Sequence, residues 1–408
     1  MKKLCLTLVG IYILFFASFG QQYNADTIGY KNYQLHLDEV NLVSGYYRQD
    51  GNHSAVTGGI GTQKVTDISN VLELKFVKTG EDDNKYTLDI EAGLDNHTAA
   101  SQKYISKTGA SSPNGVRFYP SVNWKVENIH KTTLGFGASY SGEFNYHSYG
   151  LNVIVGKLSK NSNREINFKA QAFFDRVTLI EPSEFVQKTV SVNTSASGGG
   201  EGKVTIPKSS RNTYSGSLSI SQVINKNLQV ALITDIVAQN GLLSLPFHRV
   251  YFNYPGSDSD KIEHLPDSRI KLPVAARMNY FIGSKLIVKS YYRYYTDNWG
   301  IHSHTAQLEM PYKISPFLSV APFYRYYTQT AAIYFAPYKE HVLSDKYFTS
   351  NYDLSAFSSQ YFGVNVRISP KNGVFKIPYF KMIEIRYGHY LQTTSLNADN
   401  IGINFRFR

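Results

Sequence analysis

Cysteine is nearly missing from these 408 residues: the single one, Cys5, lies in the first apolar stretch. A chain that sheds that stretch has no thiol, which excludes disulfide frameworks and thiolate sites. Beyond Gly20 no apolar run is long enough for a membrane helix, which needs about 20 residues. Sustained three-to-four spacing of apolar residues is missing too, so helices are not expected to build the fold. Lysine and arginine never run longer than two, although the formal charge is +11. Cations so dispersed argue against nucleic acid, whose binders gather charge on one face.

What is present begins with Met1-Lys2-Lys3, followed by nearly unbroken apolar sequence from Leu4 to Phe19. Ser18 and Gly20 stand at minus three and minus one before Gln21, the pattern of a signal-peptidase site. The stretch is short for a span and polar residues follow it. The expectation is a signal peptide over 1–20 and a single exported domain over 21–408. Cys5 is too far from the cleavage point for lipid attachment.

The mature sequence is rich in aromatics, with 32 Tyr and 24 Phe, and its dominant period is two. Tyr214 to Ser221 alternates almost without error, as do Glu165 to Ala172, Val116 to Glu127 and Tyr86 to Ala92. In a strand this puts apolar groups on one face and polar groups on the other. Such segments number about sixteen, with fourteen the nearest alternative. They fall at 35–49, 66–78, 84–97, 115–127, 131–141, 146–158, 164–178, 212–223, 227–239, 269–281, 285–297, 301–313, 316–330, 358–369, 378–392 and 398–408. These are longer than soluble strands and suit tilted crossings of a bilayer.

Connections alternate. Short turns such as "VINKN" and "FIGSK" follow the even segments, whereas several odd ones lead into long loops. With both ends on the short-turn side, this predicts an all-β fold, a closed transmembrane antiparallel β-barrel. The near-repeats "YYRYYTDNWG" (from Tyr291) and "FYRYYTQTAA" (from Phe323) then find a reason. Tyr292, Tyr294, Tyr324 and Tyr326 fall on the apolar face near the long-loop ends, as an aromatic girdle requires.

"HLPDSRIKLPVAARMNYF" (His264–Phe281), "YYRYYTDNWGIHSHT" (Tyr291–Thr305), "YRYYTQTAA" (Tyr324–Ala332) and the terminal "INFRFR" resemble an outer-membrane barrel family of unknown function from Gram-negative bacteria. The resemblance spans most of the mature chain and is sharpest from His264 onward. It implies location and architecture, and no chemistry.

Because a lipid-facing Arg or Lys near the bilayer midplane costs about 2–4 kcal/mol, charges on the alternate face are expected to point inward. The first nine segments place Glu39, Glu73, Asp89, Glu91, Asp95, Glu127, Glu165, Asp175 and Asp235 there, against Lys75, Arg117, Lys125 and Lys169. The last seven place Arg269, Lys271, Arg277, Lys289, Arg293, Arg325, Arg367, Arg386, Arg406 and Arg408, against Asp297, Glu309 and Glu384. One wall reads acidic and the other basic, a field that sorts solutes by charge and dipole. The alternative is that these charges pair with one another and fill the interior.

His302 and His304 share a face, but no carboxylate or third histidine joins them, so an interfacial place is expected in preference to a metal. Gly58 to Thr62 and Gly198 to Gly200 lack the ending of a phosphate loop. No catalytic pairing stands out, and an enzyme is disfavoured. Together these residues indicate a porin-like barrel without cofactor that passes or binds small polar or anionic solutes. Its expected partners are membrane lipid and, through the C-terminal strand, the assembly machinery; nucleic acid is not among them. A second reading makes it a non-conducting scaffold or receptor. Tyr334, Phe335, Tyr338, Tyr347 and Phe348 would then form a contact surface on one long loop, unless they fold inward and constrict the pore.

Overall fold

A computed structural model describes residues 34–98, 115–179, 208–254 and 260–408; the expected signal segment and Gly198 to Gly200 lie outside them. The strands are β1 (His36–Asp50), β2 (Val65–Thr79), β3 (Lys85–His97), β4 (Gly115–Glu127), β5 (Thr132–Glu143), β6 (Tyr146–Leu158), β7 (Arg164–Thr178), β8 (Lys208–Asn225) and β9 (Leu228–Gly241). A small hairpin follows, β10 (Arg249–Tyr251) and β11 (Asp260–Ile262). The series resumes with β12 (Ser268–Ile282), β13 (Leu286–Asp297), β14 (His302–Glu309), β15 (Tyr312–Ser315), β16 (Leu318–Gln329), β17 (Phe357–Ile368), β18 (Phe380–Gln392) and β19 (Asn397–Phe407). Among the described residues, helix is limited to short 3-10 turns, and no helix is long and apolar enough to cross a membrane.

Every neighbour is antiparallel, β9 passes the ladder to β12, and β19 returns it to β1. The sheet is therefore closed. β14 and β15 are two halves of one crossing, both paired with β13 and β16, so the barrel has sixteen staves. The expected strand 301–313 is broken at Met310-Pro311 because proline has no N–H to give the ladder. Its carbonyl still accepts from Ile287 N at 3.0 Å, and Met310 N donates to Pro322 O at 3.0 Å. The other visible departure is β8, which runs several residues beyond 212–223 and so takes in Arg211.

Alternation decides which way each stave faces. On β12, Ile270, Leu272, Val274 and Met278 are exposed on the outer face, and their neighbours Arg269, Lys271, Arg277 and Asn279 point inward. Val116, Phe118, Val122 and Trp124 do the same on β4. A closed sheet with an apolar exterior and polar interior satisfies its backbone within lipid, and this is a transmembrane barrel.

The seam rests on the last strand. Val40 to Asp50 meet Phe407 to Asn397 in unbroken register. Ile401, Ile403, Phe405 and Phe407 take the outer face, where Phe407 stacks on the buried ring of Phe380 with centroids 4.8 Å apart. Removing Phe405–Arg408 opens β1 to lipid. The truncated chain is expected to lose membrane insertion and the heat-dependent shift in gel mobility of a closed barrel. Normal assembly of that truncation would place the seam elsewhere.

Candidate functional site

The tyrosine repeats sit where the lumen meets its rim. Tyr292, Tyr294, Tyr324 and Tyr326 face outward, and two of them bond to the neighbouring strand. Tyr292 Oη lies 2.7 Å from His304 Nδ1, and Tyr294 Oη lies 3.0 Å from His302 Nδ1. The two histidines thus belong to the outer girdle, as their spacing suggested.

The intervening residues point inward and end in a hub. Asp297 has a fully buried side chain. Its Oδ2 accepts from Arg269 Nε at 2.9 Å and Tyr295 Oη at 2.7 Å, while its Oδ1 accepts from the backbone of Trp299 and Ile301, each at 3.0 Å. The Arg269 guanidinium lies 4.3 Å from the Trp299 ring centroid, and Trp299 closes a small apolar cluster with Leu265, Ile301 and Ala332. One carboxylate therefore holds the tight turn after β13 and a buried cation together. Asp297→Asn puts an amide donor against Arg269 and is expected to cost about 3 kcal/mol, as breaking a buried pair does. Denaturant unfolding of the detergent-refolded barrel measures it.

Strand pairing puts the lumen residues named from sequence on the inner face, but their partners divide them. Several are neutralised. Lys289 donates to Glu309 at 3.0 Å, with Arg386 3.6 Å away on the same carboxylate and 4.0 Å from the Phe323 ring centroid. Arg367 pairs with Glu384 at 3.0 Å, Arg406 with Glu39 at 3.6 Å and Arg408 with Asp38 at 3.2 Å. Across the barrel Asp89 pairs with Lys125 at 2.7 Å, and Asp175 with Arg211 at 2.8 Å.

The rest stay uncompensated. Among the described residues Arg277, Arg293 and Arg325 make no ion pair, and neither do Glu91, Glu127 and Glu165. Glu309 and Asp297, the carboxylates of β13 and β14, are taken by Lys289, Arg386 and Arg269. Arg325 lies 4.8 Å over the Tyr361 ring and Arg277 6.0 Å over that of Tyr291, contacts that hold a guanidinium without cancelling its charge. Arg293 Nε is buried with no hydrogen-bond partner. Arg277, Lys289, Tyr291, Gln307 and Glu309 line a lumen cavity of about 420 Å³. Asp175 and the side chain of Asp297 are buried, whereas Arg367, Arg386 and Arg406 keep a third or more of their side chains open to water.

Asp67 and Arg211 are among the inward charges that the sequence reading missed. Asp67 shares the inner face of β2 with Glu73 and Lys75, a parity that could have shown it. Arg211 lay just outside the expected strand.

The long loops form a cap. A Cβ on Gly58 would come within 2.4 Å of the Tyr251 ring, and one on Gly59 within 2.8 Å of Ser350 O. Both glycines have positive φ and mark where the 51–64 loop touches the 242–267 and 330–356 loops. Arg249 Nη1 donates to Val56 O at 2.7 Å, and His53 stacks on Tyr352 at 3.8 Å. Buried Glu263 accepts from Thr349 Oγ1 at 2.5 Å and from Leu245 N at 2.7 Å. The β1–β2 and β9–β12 junctions are eight places apart in a ring of sixteen, so loops from them can meet only across the mouth. The aromatics considered as a contact surface are spent inside this cap: Phe348 against Phe252, Tyr338 against Tyr251, Phe335 against Tyr352, and Tyr334 and Tyr347 against each other. Asp353 hangs below it, with Gln329 Nε2 holding its carbonyl at 3.0 Å. It is open to water, yet crowding in the mouth raises its carboxyl above the ordinary value, an effect offset by His248 and reinforced by Glu263.

A family model described as a protein of unknown function, DUF3570, matches residues 96–398. Among solved structures, similarity extends to a bacterial polysaccharide outer membrane secretin at 10% identity and TM-score 0.43, covering 91% of this chain and 98% of that one. A BenF-like porin from Pseudomonas fluorescens Pf-5 is similar at 9% identity and TM-score 0.42, over 91% and 98% of the two chains. The outer membrane protein OprD from Pseudomonas aeruginosa is similar at 9% identity and TM-score 0.41, over 95% and 98%. Comparison with curated proteins finds no match.

Proposed function

The chain belongs to the DUF3570 family of unknown function, and from its own geometry we propose a passive channel of a Gram-negative outer membrane that passes small polar solutes and favours anions. One observation carries this reading. Arg277, Arg293 and Arg325 stand on β12, β13 and β16, within four successive staves of one wall, and none of them makes an ion pair. Arg293 is cross-strand from Thr305 and Arg325 from Gln307 on the single stave between them, so their backbones are about 12 Å apart, two strand spacings sideways and two residues along. At that distance they repel by roughly 1–2 kcal/mol at an effective dielectric near 20. An anion between them relieves this repulsion and finds donors without needing new charges. Glu91, cross-strand from Glu73 and with Asp95 and Asp67 further along the same wall, supplies the opposing potential from β2 and β3. Tyrosine and glutamine beside the arginines, Tyr291 and Gln307, hold the path polar without binding so tightly that exit stops.

A second reading, a non-conducting receptor or scaffold, is supported by the cap, which bridges the whole mouth. Planar-bilayer recording separates the two. Stepwise conductance supports the channel, and electrical silence of a heat-modifiable barrel supports the receptor. For the conducting protein, replacing residues 337–347 by a short Gly/Ser linker removes part of the cap and is expected to raise single-channel conductance with little change in ion preference. An unchanged conductance would show that the cap does not limit the path.

Selectivity has its own test. Arg293→Glu combined with Arg325→Glu is expected to move the reversal potential toward cations, most at low salt where screening is weakest. A folded, conducting double variant with an unaltered reversal potential removes both arginines from that role.

A further inference from the structure

A second lumen cavity lies in a different sector of the wall, between β3 and β8, with a volume of about 350 Å³. Its lining differs in kind from the arginine wall. Two rings are pressed flat against the sheet where glycines leave room: a Cβ on Gly93 would come within 2.0 Å of the Tyr119 ring, and one on Gly150 within 2.8 Å of the Phe173 ring. Both rings line the cavity; Phe173 leaves its other face to the lumen, while Tyr119 carries the Arg117 guanidinium over its ring.

Donors and acceptors surround these faces in fixed positions. Arg117 Nε donates to Ser141 Oγ at 2.8 Å, and its guanidinium lies 5.2 Å from the Tyr119 centroid. Arg211 donates through Nε to Asp175 at 2.8 Å and through Nη2 to Tyr146 Oη at 3.1 Å, which uses two of its five N–H groups. Asp175, 4% exposed, anchors this arginine from behind, and its Oδ1 has no partner. Tyr119 Oη is tied to Asp95 Oδ1 at 2.8 Å. Ser121 and Ser139 line the cavity with hydroxyls that make no side-chain hydrogen bond among the described residues.

We propose that this cavity binds the ring of a neutral sugar. A pyranose has a C–H face that packs on aromatic rings, and a rim of hydroxyls that each donate and accept. Phe173 supplies the flat face, Tyr119 and the guanidinium over it bound the cavity beside Phe173, and Arg117, Arg211, Ser121 and Ser139 supply fixed rim partners. Charge argues in the same direction. Arg211 is paired with Asp175, and Arg117 lies cross-strand from Asp95, so an anion gains little here and is served better by the unpaired arginines of β12 to β16. An apolar ligand would strand the serine hydroxyls and guanidinium N–H groups.

The proposal rests on solutes entering the lumen, as the channel reading requires, but it is tested by binding in detergent, where conductance plays no part. Purified wild-type barrel is titrated with glucose by saturation-transfer NMR, with sodium glucuronate in parallel. A dissociation constant in the range of about 1–10 mM for glucose is expected. Phe173→Ala removes the stacking face and Ser139→Leu fills the cavity; each is expected to weaken glucose at least roughly tenfold, with barrel integrity confirmed by heat-modifiable mobility. Should Phe173→Ala not fold, Ser139→Leu alone decides. Three results overturn the proposal: no glucose binding up to about 100 mM, equal affinity in the folded variants, or preference for glucuronate. Binding by an electrically silent barrel would uphold this site while removing the channel.

Discussion

Backbone hydrogen bonds that cannot be left open in lipid are the constraint on which the rest of this molecule depends. Each stave must find two neighbours, and the ladder closes only because β19 meets β1 along eleven residue pairs. Closure fixes register, and register fixes everything that faces inward. Pro311 shows how narrow the tolerance is: one missing N–H divides a stave into β14 and β15, and flanking bonds from Ile287 and Met310 hold the break closed.

Once the ladder is set, charge becomes a matter of which neighbours a side chain inherits. Glu309 lies across from Lys289 and within reach of Arg386, so it cannot serve Arg293. Asp297 is held by Arg269, Tyr295 and the turn it caps, so it too is unavailable. The arginines that remain free are free because the closed sheet gave the nearby carboxylates to others. On the far wall Asp175 is committed to Arg211 behind a cavity lined by hydroxyls and flat rings, and the lumen thereby acquires two sectors of different chemistry.

The cap follows from the same ring geometry. Loops that leave the barrel at opposite points meet above the mouth, and they hold there through a buried Glu263, the Arg249 contact to Val56, and stacked aromatics. Glycines 58 and 59 permit the closest approach. On the channel reading solutes pass beside this bridge, which makes the mouth a point of control separate from the arginine wall.

Sequence by itself determined the closed antiparallel barrel of about sixteen staves and, for most stave residues, the face each one takes. Both follow from a period of two, which a single strand carries within itself. Asp67 was equally legible by parity though it was passed over, and Arg211 was lost to a boundary drawn a few residues short. Tertiary structure alone decided which charges are cancelled, that the loop aromatics build a cap instead of an outer contact surface, and that Tyr119 and Phe173 lie flat over Gly93 and Gly150. Those outcomes depend on residues brought together from different staves, sometimes from opposite sides of the ring. The alternation within one strand holds no record of the register that joins it to the next.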